Sequence, residues 1–163
     1  MLEYPKYKKI LLCTDFSKNS ELAFIYACAI AERDKGKIYL IHILPVMQNE
    51  GVIKSLITPH IFEKAQKESI EGLEQVFQEQ LISKCQKDIE FQTVIRVGRE
   101  YQEILKFALE EEVDLIVLGT HGLTGLGHVL MGSVAEKVVR NSPVPVLIIP
   151  IPPPNRHKSK GEL

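Results

Sequence analysis

The residues best suited to chemistry lie in a glycine-rich segment that runs from Gly119 to Ser133. Glycine permits positive φ angles and lets a backbone approach a ligand closely, as Gly119 and Gly122 could require after a buried strand. Gly132 and Ser133 would open a helix, whose unpaired N–H groups and positive dipole end favour a phosphate. The segment therefore predicts a phosphate-binding loop. The alternative from composition alone is a flexible surface loop in which Ser133 is only an N-cap.

Other familiar catalytic and binding motifs are absent from the sequence. There is no G-x-x-x-x-G-K-[ST] and no G-x-G-x-x-G after the first apolar run, which disfavours a P-loop protein and a Rossmann dehydrogenase. No H-E-x-x-H or similar spacing predicts a transition-metal site. Asp15, His121 and Ser133 could be imagined as a hydrolytic triad, but no G-x-S-x-G turn supports one. We interpret His121 as a solvent-exposed loop residue and His42 as a hydrogen-bonded core residue.

Length and composition indicate one ordinary globular domain. The chain has 163 residues, 45% of them hydrophobic, and a formal net charge of -1, so nothing draws the whole molecule to nucleic acid or to a membrane. Three cysteines without a C-x-x-C pair argue against a disulfide framework and a zinc ribbon. No signal peptide and no apolar run of roughly 18 residues is present. We expect a cytoplasmic protein with a domain over residues 1–150 and a flexible, proline-rich basic tail over residues 151–163.

Short apolar runs alternate with amphipathic stretches along the chain. This pattern predicts an α/β fold with parallel strands and helices on both faces of an open sheet. The predicted strands are Lys9–Thr14, Lys37–Leu44, a run around Ile89–Ile95, Val113–Leu118 and Val144–Ile149. The predicted helices follow the capping residues 15–20, begin at Thr58–Pro59, and cover about Glu100–Glu111 and Ser133–Asn141. Ligands in such sheets bind beyond the carboxyl ends of the strands, which here are Thr14–Asp15 and Gly119–Ser133.

Helical spacing also predicts which faces are buried. In the first helix the inward residues would be Leu22, Ala23, Ile25, Tyr26, Ala29 and Ile30, and in the helix after Gly98 they would be Ile104, Leu105, Ala108 and Leu109. Asp15 precedes the first helix, so an alternative to a binding role is that it serves as that helix's N-cap.

The glycine spacing carries a specific resemblance. Gly119, Gly122 after two residues and Gly132–Ser133 after nine more match the G-2x-G-9x-G-[S/T] pattern of the ATP-binding branch of the universal stress protein family. The following residues 134–140 and 143–147 resemble that family's closing helix and strand. Residues 9–17 resemble its first strand and aspartate. The resemblance spans about residues 7 to 150.

The resemblance implies a three-layer α/β/α sandwich with an open five-stranded parallel sheet in the order 3-2-1-4-5, which is Rossmann-like and similar to the adenine nucleotide alpha hydrolases. It implies an adenine-nucleotide site, in which Asp15 meets the adenine or ribose, the backbone of Ile43 brackets the base, and Gly132 and Ser133 help to hold the phosphates. The full set of implied nucleotide-binding residues is Cys13, Thr14, Asp15, Ile43, Leu118, Gly119, His121, Gly122, Gly132, Ser133, Val134 and Ala135. Cys13 stands where the family often has proline or a small apolar residue.

These implications give the functional expectations. The ligand would be ATP, with Mg²⁺ or Mn²⁺ held by its phosphates, and the protein would act as a nucleotide-dependent switch in stress response. One alternative is a weak ATPase that uses the same pocket. Another is a dimeric interaction module that binds no nucleotide. A homodimer would form through the apolar edge strand Val144–Ile149, without nucleic acid or membrane partners.

Overall fold

The computed structural model describes residues 3–46, 59–121 and 131–151. Its strands are β1 (Lys9–Cys13), β2 (Lys37–Leu44), β3 (Phe91–Val97), β4 (Leu115–Gly119) and β5 (Val146–Ile149). Its α-helices are α1 (Lys18–Asp34), α2 (Pro59–Gln80), α3 (Glu100–Glu110) and α4 (Ser133–Asn141), and a 3₁₀ turn covers Ile82–Lys84. The predicted tail lies outside the described residues apart from Ile151. No helix in the described ranges is long and apolar enough to cross a membrane.

All five strands form one parallel sheet in the order β3-β2-β1-β4-β5. Alternation along β1 builds two cores, because successive side chains point to opposite faces. Ile10 and Leu12 pack with α1 and the end of α2, whereas Leu11 packs with α3 and α4. The predicted three-layer sandwich with strand order 3-2-1-4-5 is therefore confirmed.

The buried face of α1 differs from the prediction. The helix turns a stripe of small and aromatic residues toward the sheet: Ala23, Phe24, Ala27, Cys28 and Ala31. Ile25 and Tyr26 are 59% and 49% exposed. Both stripes have helical spacing, so periodicity could not separate them. The three alanines allow α1 to lie close against the sheet, and that packing decides the orientation. In α3, similarly, Phe107 is buried and Leu109 is exposed.

The predicted edge strand Val144–Ile149 was wrong at its first residues, since β5 begins at Val146. Ser142 explains the difference. Its hydroxyl donates to the carbonyl of Val144 at 2.7 Å, and the same oxygen accepts from the Val144 N–H at 3.2 Å. Val144 is therefore held in a local turn instead of the strand ladder.

Candidate functional site

A cleft of about 320 Å³ opens at the carboxyl ends of the strands. It lies where β1 has β2 on one side and β4 on the other, so that the chain crosses the sheet in opposite directions from this point. Such a reversal separates the loops that follow neighbouring strands and leaves a crevice between them. The volume falls at the lower end of the roughly 300–1,000 Å³ typical of small-molecule sites.

The cleft gathers the predicted nucleotide-binding residues from four separate stretches of the chain. Those that line it are Cys13, Thr14, Asp15, Ile43, Leu118, Gly119, His121, Gly132, Ser133, Val134 and Ala135. Gly122, the remaining predicted residue, lies outside the described residues.

Six further lining residues were not predicted: Ser20, Ile41, His42, Glu100, Ile104 and Thr120. Ile41 shares a sheet face with Ile43, so strand alternation could have suggested it, and His42 and Thr120 are direct chain neighbours of predicted residues. Glu100 and Ile104 arrive from the start of α3, which packs on the same sheet face as Ile41 and Ile43. No local sequence signal marks them, because their position depends on the tertiary packing of α3.

The loop between β1 and α1 is built around Thr14 and Asp15. The Thr14 hydroxyl donates to Ser20 Oγ at 3.0 Å and accepts from the Phe16 N–H at 3.0 Å. Asp15 Oδ1 accepts from the Ser17 N–H at 3.1 Å, which closes an Asx turn. The N-cap of α1 is Ser17, whose side chain accepts from Ser20 N. The alternative that Asp15 caps this helix is therefore wrong.

Phe16 holds this loop in a strained form. Its φ is 61°, a left-handed conformation that costs a non-glycine residue roughly 1–2 kcal/mol. The ring packs against His42 and Phe77, with centroid separations of 4.9 Å and 5.0 Å. His42 is half-buried, and its Nδ1 donates to the Thr14 carbonyl at 2.8 Å. Aromatic packing on both sides therefore offsets the backbone strain beside Asp15.

A buried asparagine ties the segment after β4 to α1. Asn19 is 5% exposed. Its Nδ2 donates to the carbonyl of Ile149 at 3.0 Å, and its Oδ1 accepts from the His121 N–H at 3.0 Å. The His121 ring hydrogen-bonds the Thr120 hydroxyl through Nδ1 at 2.9 Å. His121 is thus a half-buried, anchored residue and not the exposed loop histidine that we expected.

Gly119 is required by this same asparagine. A Cβ atom at position 119 would lie 2.5 Å from Asn19 Oδ1. The sequence suggested that this glycine serves a sharp turn or a ligand, but Gly119 closes β4 and its place is explained by the close approach of Asn19. Gly132 is also close to its neighbours, since its Cβ would lie 3.0 Å from the Thr120 carbonyl oxygen.

The N-terminus of α4 opens into the cleft. Gly132 is its N-cap and has no side chain to cap it. Gly132, Ser133, Val134 and Ala135 all line the cleft, and Ser133 is exposed. The first-turn N–H groups of a helix without a side-chain cap are available to an anion, and the helix dipole adds to that attraction.

The cleft is apolar at its floor and acidic at two points. Cys13, Ile41, Ile104 and Leu118 are among its apolar lining residues. Burial raises the pKa of the Cys13 thiol, which is therefore neutral. Asp15 and Glu100 are the acidic lining residues. Among the described residues, the lining contains no lysine or arginine, and no cluster of His, Cys, Asp and Glu is arranged to hold a metal ion.

Comparisons with known proteins indicate one family. Residues 6–150 match the model of the universal stress protein family. Universal stress protein MJ0577 of Methanocaldococcus jannaschii is 31% identical over 153 residues, which cover 88% of this chain and 94% of that protein. Universal stress protein MJ0531 of the same organism is 34% identical over 148 residues, with coverages of 90% and 84%.

Solved structures share the fold. The structure of MJ0577 aligns with a TM-score of 0.73 at 30% identity and covers 91% of this chain and 99% of its own. A universal stress protein in complex with cAMP aligns with a TM-score of 0.57 at 23% identity, with coverages of 89% and 98%.

Proposed function

Because this chain belongs to the universal stress protein family, we propose that it binds ATP in the cleft and acts as a nucleotide-dependent switch in a stress response. The observation that carries the proposal is the convergence in one cleft of an apolar floor, Asp15 and the uncapped N-terminus of α4. Adenine has flat ring faces that pack on apolar side chains, ribose and the adenine amino group can donate to a carboxylate, and phosphates accept from helix N–H groups.

The charges of the cleft lining favour ATP that is bound together with a divalent cation. Since the described lining lacks lysine and arginine, the groups in it that attract a triphosphate are the helix dipole, backbone amides and neutral donors such as the Ser133 hydroxyl. Mg²⁺ binds phosphate oxygens and keeps several waters, so it needs no cage of protein ligands. Mn²⁺ would serve in the same way.

Binding, and not turnover, is the essential step of the proposed switch. Fast phosphoryl transfer needs a group that activates water and a cation that stabilises the transition state. The described lining has no arginine for the second role, and its only histidines, His42 and His121, are both engaged in hydrogen bonds.

The test is calorimetric titration of nucleotide-free, full-length protein with ATP, with and without Mg²⁺. We expect micromolar binding by the native protein. Ser133→Ala should weaken it about tenfold, since it removes one hydrogen bond to a charged oxygen. Asp15→Asn keeps an oxygen for the Ser17 N–H but removes the charge, and it should also weaken binding. Ser83→Ala, which alters an exposed serine outside the cleft, is the control and should bind like the native protein.

Two results would change the proposal. Absence of binding by folded, nucleotide-free protein would leave a dimeric interaction module. Phosphate release that is lost in His121→Ala while ATP binding is retained would make the protein an ATPase. Competition with ADP, AMP and cAMP in the same titration would rank the nucleotides.

The proposed assembly is a homodimer through β5. The sheet order places β5 at an edge. The Pro145 carbonyl accepts from Ile116 in β4, and the Ile149 carbonyl accepts from Thr120, directly after β4. Alternation therefore points the backbone groups of Val146 and Ile148 away from β4, toward the outside of the sheet. An apolar edge with outward N–H and C=O groups favours pairing with a second copy.

Light scattering at micromolar concentration is expected to give twice the 18.5 kDa chain mass. Val146→Pro removes an outward N–H at the first residue of the strand, where proline is tolerated, and should give a folded monomer. A native protein that is monomeric at this concentration, or a variant that remains dimeric, would contradict pairing through this edge.

A further inference from the structure

Two cysteines lie on the sheet face that carries α1 and α2, away from the cleft. Cys28 lies on α1 and is buried, whereas Cys85 follows the 3₁₀ turn and is half-exposed. Cys85 packs against the core cluster that contains Cys28, and the nearby Cys85 sulfur helps to raise the pKa of the Cys28 thiol. Neither residue lines the cleft.

Ion pairs hold the Cys85 segment along α1. Lys84 pairs with Glu21, and Lys87 Nζ lies 2.7 Å from Glu32 Oε1. Glu21, Cys28 and Glu32 follow one another along α1, and their partners at 84, 85 and 87 follow in the same order. Exposed ion pairs contribute little to stability. These two lie on either side of Cys85, however, and they show which stretch of α1 this segment runs along.

We propose that Cys28 and Cys85 form an oxidisable dithiol, which a peroxide converts to a reversible intramolecular disulfide. In the first step the Cys85 sulfur attacks one peroxide oxygen. An S–O bond forms, the O–O bond breaks, and the released hydroxide leaves as water with the thiol proton. The Cys85 sulfur is oxidised to a sulfenic acid and the peroxide is reduced.

In the second step the Cys28 sulfur attacks the Cys85 sulfur. The S–S bond forms, the S–O bond breaks, and the hydroxyl group leaves with the Cys28 proton as a second water. The two thiols and one peroxide are thus converted to one disulfide and two waters, so that atoms and electrons balance.

Burial decides the order of these steps. Cys28 is shielded from a dissolved oxidant, and burial together with the Cys85 sulfur raises the pKa of its thiol, so Cys28 keeps its proton. Cys85 is accessible and is therefore the point of attack. An S–S bond is about 2.05 Å long, which is shorter than any contact between two sulfurs that are not bonded. The two cysteines must therefore move closer together to form it. Residues 85–90 belong to no helix or strand and can supply that movement.

The disulfide would join α1 to the segment beyond α2. It would close a loop between residues 28 and 85, which restricts the unfolded chain and raises the midpoint of thermal unfolding on the order of 5 °C. Oxidation would in this way make the fold more resistant to heat, and a thiol reductant would reverse the effect.

The experiment treats the full-length protein with hydrogen peroxide at one equivalent and maps its tryptic peptides by mass. We expect one crosslinked pair that contains Cys28 and Cys85, lighter than the separate peptides by two hydrogen atoms and separated again by dithiothreitol. Cys13→Ser should give the same pair. Cys85→Ser should abolish both the crosslink and the thermal shift, and Cys28→Ala should leave Cys85 as a trappable sulfenic acid.

Three outcomes would overturn the proposal. One is oxidation of Cys85 to a sulfinic acid with no crosslink in the native protein. Another is a disulfide between two chains through Cys85. The third is a crosslink that persists in Cys85→Ser. Because peptide mapping of the native protein identifies the bond directly, the result does not depend on whether a variant folds.

Discussion

Replacing Gly119 with alanine is expected to lower the free energy of unfolding by about 2–4 kcal/mol. The added Cβ would lie 2.5 Å from Asn19 Oδ1. Asn19 is buried and already holds the carbonyl of Ile149 and the N–H of His121, so it cannot move without breaking those hydrogen bonds. Chemical denaturation of the variant and the native protein measures the difference.

A double-mutant cycle tests the cause of this loss. Asn19→Ala alone should cost about 1–2 kcal/mol, because it leaves the His121 N–H without its partner and removes one of two donors from the Ile149 carbonyl, which still accepts from the Thr120 N–H. In the double variant the clash is gone, so the combined loss should fall short of the sum by at least about 1 kcal/mol. Strict additivity would mean that the contact between Gly119 and Asn19 is not the reason.

Gly72→Ala is the matched control for the glycine substitution. Gly72 lies in α2, and a Cβ there would meet nothing within 4 Å. Since alanine favours a helix interior, this change should raise the free energy of unfolding by about 0.5–1 kcal/mol. The two glycine-to-alanine changes thus have opposite expected signs.

Phe77→Ala should cost about 3–5 kcal/mol, a loss of stability comparable with the largest single core truncations. Phe77 is fully buried on α2 and meets the ring of Phe16 edge to face at 5.0 Å. Phe77→Ala would leave a cavity and would also remove the ring that packs against Phe16, whose backbone is strained. Both effects lower the free energy of unfolding.

Two substitutions on α2 set the scale for this loss. Phe77→Leu keeps most of the volume and should cost about 1.5 kcal/mol or less. Ile70→Ala changes a residue that is 42% exposed and should cost less than Phe77→Ala by at least about 2 kcal/mol. Thermal and urea unfolding would measure the loss of stability in all three variants. Equal losses for Phe77→Ala and Ile70→Ala would contradict the conclusion that Phe77 packs in the core.

The bounds of helices and strands could be predicted well where glycine or proline marks their ends. Gly36 and Pro45 flank β2, and its bounds Lys37–Leu44 agree with the prediction. Gly132 likewise precedes α4, whose bounds Ser133–Asn141 were also predicted. Strand order came only from the family resemblance, because alternating elements fix the parallel direction but not which strands are neighbours.

The candidate site was predictable where its residues follow one another along a strand end. Thr14 and Asp15 follow β1, and Ser133 begins α4, so topology alone brings them to one edge. Glu100 comes from α3, which is far along the chain from the other site residues. Nothing in the sequence around it indicates that it lines the cleft. Asn19 was missed because a polar residue in the first turn of a helix ordinarily indicates a cap, and its burial depends on β5 and the segment after β4.

The hydrogen bonds of Asn19 have a consequence for the order in which the protein is made. They join positions that are 102 and 130 residues apart in the chain. Contacts of such separation carry a large loop-closure cost and form late in folding. During synthesis the Ile149 carbonyl emerges from the ribosome after the other four strands, so one wall of the cleft lacks its anchor until then. A nascent chain is therefore expected to acquire the sheet interior first and a finished cleft only once β5 is available.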